Sequence, residues 1–243
     1  MTWTLLEAHR WADHGTKLLD EQISTLSEVA AREPSGLPGW TRKALIAHIC
    51  GNADALGNLV RWAATGVETP MYASREQRQK DIDAGDTMTT RELLSWFGRS
   101  VGELAHAMDR LTSQQWESPV VTAQGRTVPA TTIPWLRARE VMVHAVDLGT
   151  GATFADLPTD FLVALSADIV TKRTGAADYS ARPGVKLVAD NVALSFDLDG
   201  GNGTQVVHGE LAAVAAYLAG RPNSCSNLVS EDGAAPPDLP PWL

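Results

Sequence analysis

The chain has 243 residues, 44% of them hydrophobic, and carries 29 acidic against 20 basic side chains for a net charge of −9. That acidic surplus, with no lysine or arginine run, lacks the footprint that grips a phosphate backbone and excludes nucleic acid as the expected partner. No apolar stretch reaches the ~20 residues of a membrane span, and Cys50 and Cys225 are too few for a disulfide framework, so a cytoplasmic protein in a reducing compartment is expected.

Thr4-Leu5-Leu6-Glu7 has the reciprocal spacing of a capping box, and Leu5, Ala8, Ala12, Leu19, Ile23, Leu26 and Ala30 follow at three- and four-residue intervals. They predict a first helix over 4–31. A Pro/Gly-rich loop from Glu33 to Gly39 stops it, and Thr41 caps a second helix that runs to Gly66. That helix carries Leu45, His48, Ala55 and Leu59 on one stripe, so His48 is expected to face inward. Ser74 opens a short polar helix, and Thr89-Thr90-Arg91-Glu92 opens a third long one with Leu93, Phe97, Val101, Leu104, Met108 and Leu111. An irregular stretch around Gln124-Gly125 leads to Thr132-Ile133-Pro134, where a fourth long helix starts and continues to Gly149. Four such helices make a bundle, whose core is where facing side chains converge on metals. Beyond Gly151 the pattern changes. A helix near 160–174 is followed by period-two strands at Val185, Leu187, Ala189 and at Val192, Leu194, Phe196, Leu198, then a turn at 199–203, a strand at 204–208 and an Ala-rich helix ending at Gly220. Pro236, Pro237, Pro240 and Pro241 keep the tail out of a helix, and it is expected to fold back over the surface through Trp242 and Leu243. The fold class is α+β, with a helical bundle over 1–151 and a small C-terminal α/β domain over 152–243.

Glu140 and His144 are four residues apart and share one face of the fourth helix, an oxygen and a nitrogen donor that Zn²⁺ accepts. His48 is the best third donor, and three protein ligands leave the open position that a catalytic zinc keeps. Each element alone has a plainer explanation, Glu140 and His144 as a partly exposed surface pair and His48 as a core histidine with one hydrogen bond. Together they argue for a cation, because burying a carboxylate with two imidazoles in an apolar bundle is costly without one. Asp147, three residues past His144, is either an acceptor that orients the imidazole or an ordinary last-turn acid. Cys50 lies two residues after His48, which points it away on a helix and assigns it to packing. His14 is a remoter metal candidate. No dinucleotide, phosphate-loop or nucleophilic-serine motif is present. Arg78, Arg126 and Arg221 read as exposed or helix-end cations, each with the planar fork that grips carboxylates.

Gly39-Trp40-Thr41 with His48, Glu68-Thr69-Pro70-Met71-Tyr72, the run from Thr122 to Ala130, Arg139-Glu140 with His144 to Gly149, and Ala219-Gly220-Arg221 resemble the mycothiol-dependent maleylpyruvate isomerases. The Trp-Thr-x6-His and Glu-x3-His elements are shared across DinB-like metal-binding four-helix bundles, whereas Gln-Gly-Arg-Thr-Val-Pro-Ala and Thr-Pro-Met-Tyr are more particular and look like the isomerases. The resemblance spans almost the whole chain and departs from it at Tyr179–Asp190. It implies zinc on His48, Glu140 and His144, an active-site cation at Arg221 from a C-terminal domain that closes the cleft, and a substrate-binding role for Arg78; Arg126, by its planar fork alone, is a further substrate-binding candidate. It also implies mycothiol as the thiol cofactor, adding reversibly to the cis double bond of maleylpyruvate so that rotation and expulsion give fumarylpyruvate. Two rivals stay open: a mycothiol S-transferase acting on another electrophile, and a zinc-stabilised ligand-binding protein whose metal is closed by a fourth protein ligand, with His14 the first suspect.

Overall fold

The computed structural model describes residues 3–175, 182, 184–201, 203–221 and 227–240. Its chain divides into two compact units, Thr4–Ala152 and Thr153–Leu243 with Met1–Trp3.

In the first unit the long helices are α1 (Leu5–Ile23), α3 (Arg42–Thr65), α5 (Thr90–Asp109) and α7 (Ile133–Asp147), with short α2 (Glu28–Arg32), α4 (Arg75–Thr87) and α6 (Ser113–Trp116) between them. Thr4 and Thr89 form the expected reciprocal caps with Glu7 and Glu92, Thr41 caps the backbone of Ala44, and Ser74 caps that of Gln77. The first predicted helix is two. Ser24 and Thr25 turn their hydroxyls back onto the carbonyls of Glu21 and Gln22, and Ser27 starts α2 by accepting from Ala30. Short hydroxylated side chains compete with the helical ladder in this way. The stretch expected to be irregular holds a hairpin of β1 (Pro119–Val121) and β2 (Thr127–Pro129), too short for alternation to show in sequence.

α1 packs on α7, and α3 packs on α5, α4 and α7. The core between them includes Leu19, Ile23, Leu45, Ile49, Leu93, Phe97 and Val141 at one level and Leu56, Leu59, Val60, Leu104 and Ile133 at another. Arg42 ties the start of α3 to the end of α7, donating through Nε to Leu148 O at 2.9 Å and through Nη2 to Gly149 O at 3.1 Å. Lys43, fully buried, donates to Glu28 and to the Met88 carbonyl just past α4. These bonds fix α4 and α7 against the first turns of α3, where His48 sits.

Gly15 lets α1 lie close on α7. A Cβ there would stand 2.6 Å from Val141 Cγ2 and 3.0 Å from the backbone nitrogen of Met142. Gly15→Ala gains up to ~1 kcal/mol of helix propensity but overpacks this contact at a cost of ~1–3 kcal/mol. Urea unfolding should show a net loss of up to ~2 kcal/mol. A variant as stable as the parent would mean that the two helices are not in close contact here.

The second unit contains α8 (Thr159–Thr174), α9 (Leu211–Leu218) and a four-stranded sheet of β3 (Gly184–Ala189), β4 (Leu194–Leu198), β5 (Thr204–Gly209) and β6 (Val229–Ser230) in the order β4-β3-β5-β6. β3 and β5 are parallel, so the turn expected at 199–203 closes no β4–β5 hairpin: β4 ends and β5 begins on opposite sides of the start of β3, at Val185 and Gly184. Periodicity gives strands but not their order. The tail lies on this unit, with Pro237 O accepting from the Tyr217 hydroxyl and Pro240 O from Arg173. The expectation for Trp242 and Leu243 falls outside the described residues, as do residues 179–181 and 183 of the segment Tyr179–Asp190, whose later part forms β3. No helix among those described is long and apolar enough to cross a membrane.

Candidate metal centre

Three side chains from α3 and α7 converge. His48 Nε2 is 3.1 Å from Glu140 Oε2, and His144 Nε2 is 3.4 Å from the same oxygen. All three donor atoms lie within 4.8 Å of one another, and among the described residues no fourth His, Cys, Asp or Glu joins the group. The imidazoles meet edge to face with centroids 5.2 Å apart, and Trp40 sets its edge against His48 at 5.8 Å. The donor set of two nitrogens and one carboxylate oxygen fits Zn²⁺ with a position to spare.

The electrostatics are those of a site built around one anion. Burial pushes the Glu140 carboxyl up, but hydrogen bonds from His144 and His48 outweigh it and hold the acid well below its ordinary range. Burial works against a charge on His144 as well. There the hydrogen bonds to Asp147 and Glu140 prevail and raise the imidazole to about 9. A metal entering at neutral pH therefore displaces a proton from His144. His48 has no such support, and burial lowers it despite the hydrogen bond to Glu140, with Arg78 also disfavouring its charge.

Asp147 is nearly fully buried, and its Oδ2 accepts from His144 Nδ1 at 2.8 Å. That bond places the Nδ1 proton and aims Nε2 at Glu140, the outer-shell arrangement of metal-binding histidines. Between the two readings of Asp147, the geometry matches the orienting one.

Arg78, on α4, brings Nη2 to 3.2 Å from His48 Nδ1, and its guanidinium carbon is 5.8 Å from the centre of the Tyr72 ring. Burial and the nearby Glu140 carboxylate push the Tyr72 phenol up, so it stays a neutral donor. Arg126 is exposed in the turn of the hairpin, where its backbone pairs with Thr122. Arg221 lies in the other unit, at the end of α9. Gly220 takes the left-handed conformation there, its N–H bonding to Tyr217 O and that of Arg221 to Ala216 O, while the guanidinium donates to Ala219 O. This is a Schellman termination with a cation on the last carbonyls. His14 is exposed and outside the metal group. Cys50 is buried in the core, and burial pushes its thiol up to about 12, which suits packing and not ligation.

Sequence reasoning missed Arg137. It is 2% exposed and donates through Nη1 to Ile49 O and Asn52 Oδ1, both at 2.9 Å. Burial lowers it to about 10, still charged at neutral pH, with Glu140 among the groups that favour the charge. It lies three residues before Glu140, a spacing that, like the four residues from Glu140 to His144, makes neighbours on a helix surface.

Residues 12–149 match the family described as the mycothiol maleylpyruvate isomerase N-terminal domain. A crystal structure of the mycothiol-dependent maleylpyruvate isomerase is 40% identical over 99% of this chain and 98% of that one, with a TM-score of 0.91. A histidine-to-alanine mutant of that enzyme matches at 39% identity with the same coverage and TM-score. No curated protein matches the chain.

Proposed function

Because the chain belongs to the mycothiol maleylpyruvate isomerase family, we propose that it is a zinc- and mycothiol-dependent cis–trans isomerase converting maleylpyruvate to fumarylpyruvate. The observation that carries this reading is the convergence of His48, Glu140 and His144 beside a guanidinium, Arg78. Zinc held there would favour the thiolate form of an incoming thiol at neutral pH. The thiolate sulfur adds to one alkene carbon as the alkene electron pair passes to the conjugated ketone to form an enolate, the resulting single bond rotates, and collapse of the enolate restores the double bond and expels the thiolate.

The chain's own residues divide the remaining work. Glu140 supplies the one negative charge of the metal site, and Asp147 keeps His144 turned toward it. Tyr72, as a neutral phenol beside Arg78, is placed to donate to a carboxylate or to the enolate charge that develops on the ketone oxygen conjugated to the double bond. Arg78 and Arg126 are assigned to the substrate's carboxylates, and Arg221 to a carboxylate or the developing enolate. A reducing cytoplasm is the setting in which such a thiol stays available.

The test is incubation of zinc-loaded protein with mycothiol and maleylpyruvate while product absorbance and free thiol are followed together. Turnover with thiol conserved supports the isomerase. Stoichiometric loss of thiol would show an S-transferase, and no turnover with zinc bound would leave a ligand-binding protein.

Asp147→Asn should keep the fold while weakening zinc by about 10–100-fold in a chelator competition, the usual effect of removing an outer-shell acceptor. Unchanged affinity would return Asp147 to the role of an ordinary helix-end acid.

A further inference from the structure

The two histidines of the metal group are set differently. Asp147 accepts from His144 Nδ1, which leaves Nε2 as the atom that faces Glu140 and that would give up its proton to a metal. His48 has a donor in the corresponding place. Arg78 Nη2 stands 3.2 Å from His48 Nδ1, and a guanidinium has hydrogens to give and no lone pair to accept with. That contact is a hydrogen bond only when Nδ1 carries the ring's lone pair. The ring proton then sits on Nε2, where Glu140 Oε2 accepts it at 3.1 Å. Both contacts are satisfied by one neutral tautomer.

A metal in the triad needs the opposite tautomer. His48 must present the Nε2 lone pair, so its proton moves through solvent to Nδ1 and points at Arg78, donor against donor. The ring is neutral before and after. We propose that the Arg78–His48 hydrogen bond and metal ligation by His48 exclude one another, so that metal loading releases the Arg78 guanidinium from His48 and frees it for an anion. Arg78 is then a substrate-binding residue whose availability to a carboxylate depends on the metal. Its stacking over Tyr72 keeps the released side chain beside the site. The inference rests on the zinc reading above, and it adds that the same arginine opposes the metal it later works beside.

The first measurement is ¹⁵N NMR of the His48 ring, assigned by comparison with His48→Gln. In protein stripped with a chelator, Nδ1 should carry no proton. After zinc is added, Nδ1 should be protonated. The second is zinc affinity by chelator competition for three variants. Arg78→Met removes the donor, and Arg78→Gln supplies an oxygen that can accept from Nδ1–H, so both should bind zinc more tightly, on the order of tenfold. Arg78→Lys keeps a cationic donor and should stay near the parent. Circular dichroism shows that each variant is folded.

A stripped parent already protonated at Nδ1 would overturn the proposal, as would Met and Gln variants that bind zinc no better than the parent. The tautomer of the stripped protein is read without any metal. A parent that carries the expected Nε2 proton but takes up no zinc would therefore overturn the zinc reading and the exclusion together, whereas zinc uptake with the wrong tautomer overturns the exclusion alone.

Discussion

Zinc and turnover should disappear together when His48 is replaced by alanine. The substitution removes one of the three donors that converge among the described residues, and the pair left on α7, Glu140 and His144, supplies too few for a closed coordination sphere. Altering an outer partner of a metal ligand costs about 10–100-fold, so loss of the ligand itself should exceed that and leave zinc below stoichiometric retention after dialysis. The fold should survive. His48 lies at the margin of the core, whereas Leu45, Ile49, Leu56 and Leu59 hold α3 in the bundle and are untouched. Far-ultraviolet circular dichroism should be parental, and elemental analysis should find little zinc. A His48→Ala protein that keeps one zinc per chain would sink the assignment of His48, whatever its activity.

The legibility of this site follows from how its parts are encoded. Glu140 and His144 are a local pair, readable from spacing alone because both ride on one helix. His48 needed a second step, the apolar stripe of α3, which says that the ring faces inward but not what it meets there. Arg42 and Lys43 decide what it meets, through bonds from α3 to Leu148, Gly149, Glu28 and Met88 that span the chain and leave no periodic trace. Arg78 was harder still. The helix that carries it has few apolar positions, and Ile82 and Gly85 are its buried residues, so neither a stripe nor a cap shows that Arg78 turns toward His48. Caps announced the starts of α1, α3, α4 and α5, since each depends on residues three apart. Strand order in the second unit depends on pairing between distant segments, and there alternation is silent.

Arg221 separates what local chemistry explains from what family membership suggests. Replacing it with alanine should lower turnover by roughly ten- to over a hundredfold, the range for losing a hydrogen bond from a charged group to a carboxylate or an enolate. Zinc content should not change, because Arg221 belongs to the second unit and is not among the metal donors. Its observed bond to Ala219 O has a separate and smaller consequence. A cation on the last carbonyls of a helix contributes about 0.3–1 kcal/mol, so the alanine variant should melt only slightly earlier. Arg221→Lys distinguishes the two roles. A lysine ammonium can serve the helix end nearly as well as the guanidinium, but it cannot make two parallel hydrogen bonds to a planar acid. The lysine variant should therefore keep parental stability and still lose most of its turnover. Steady-state kinetics on zinc-loaded parent and variants, with thermal unfolding alongside, would read both effects. Near-parental turnover in both variants would make Arg221 a helix-terminating cation, and the substrate's carboxylates would then fall to Arg78 and Arg126.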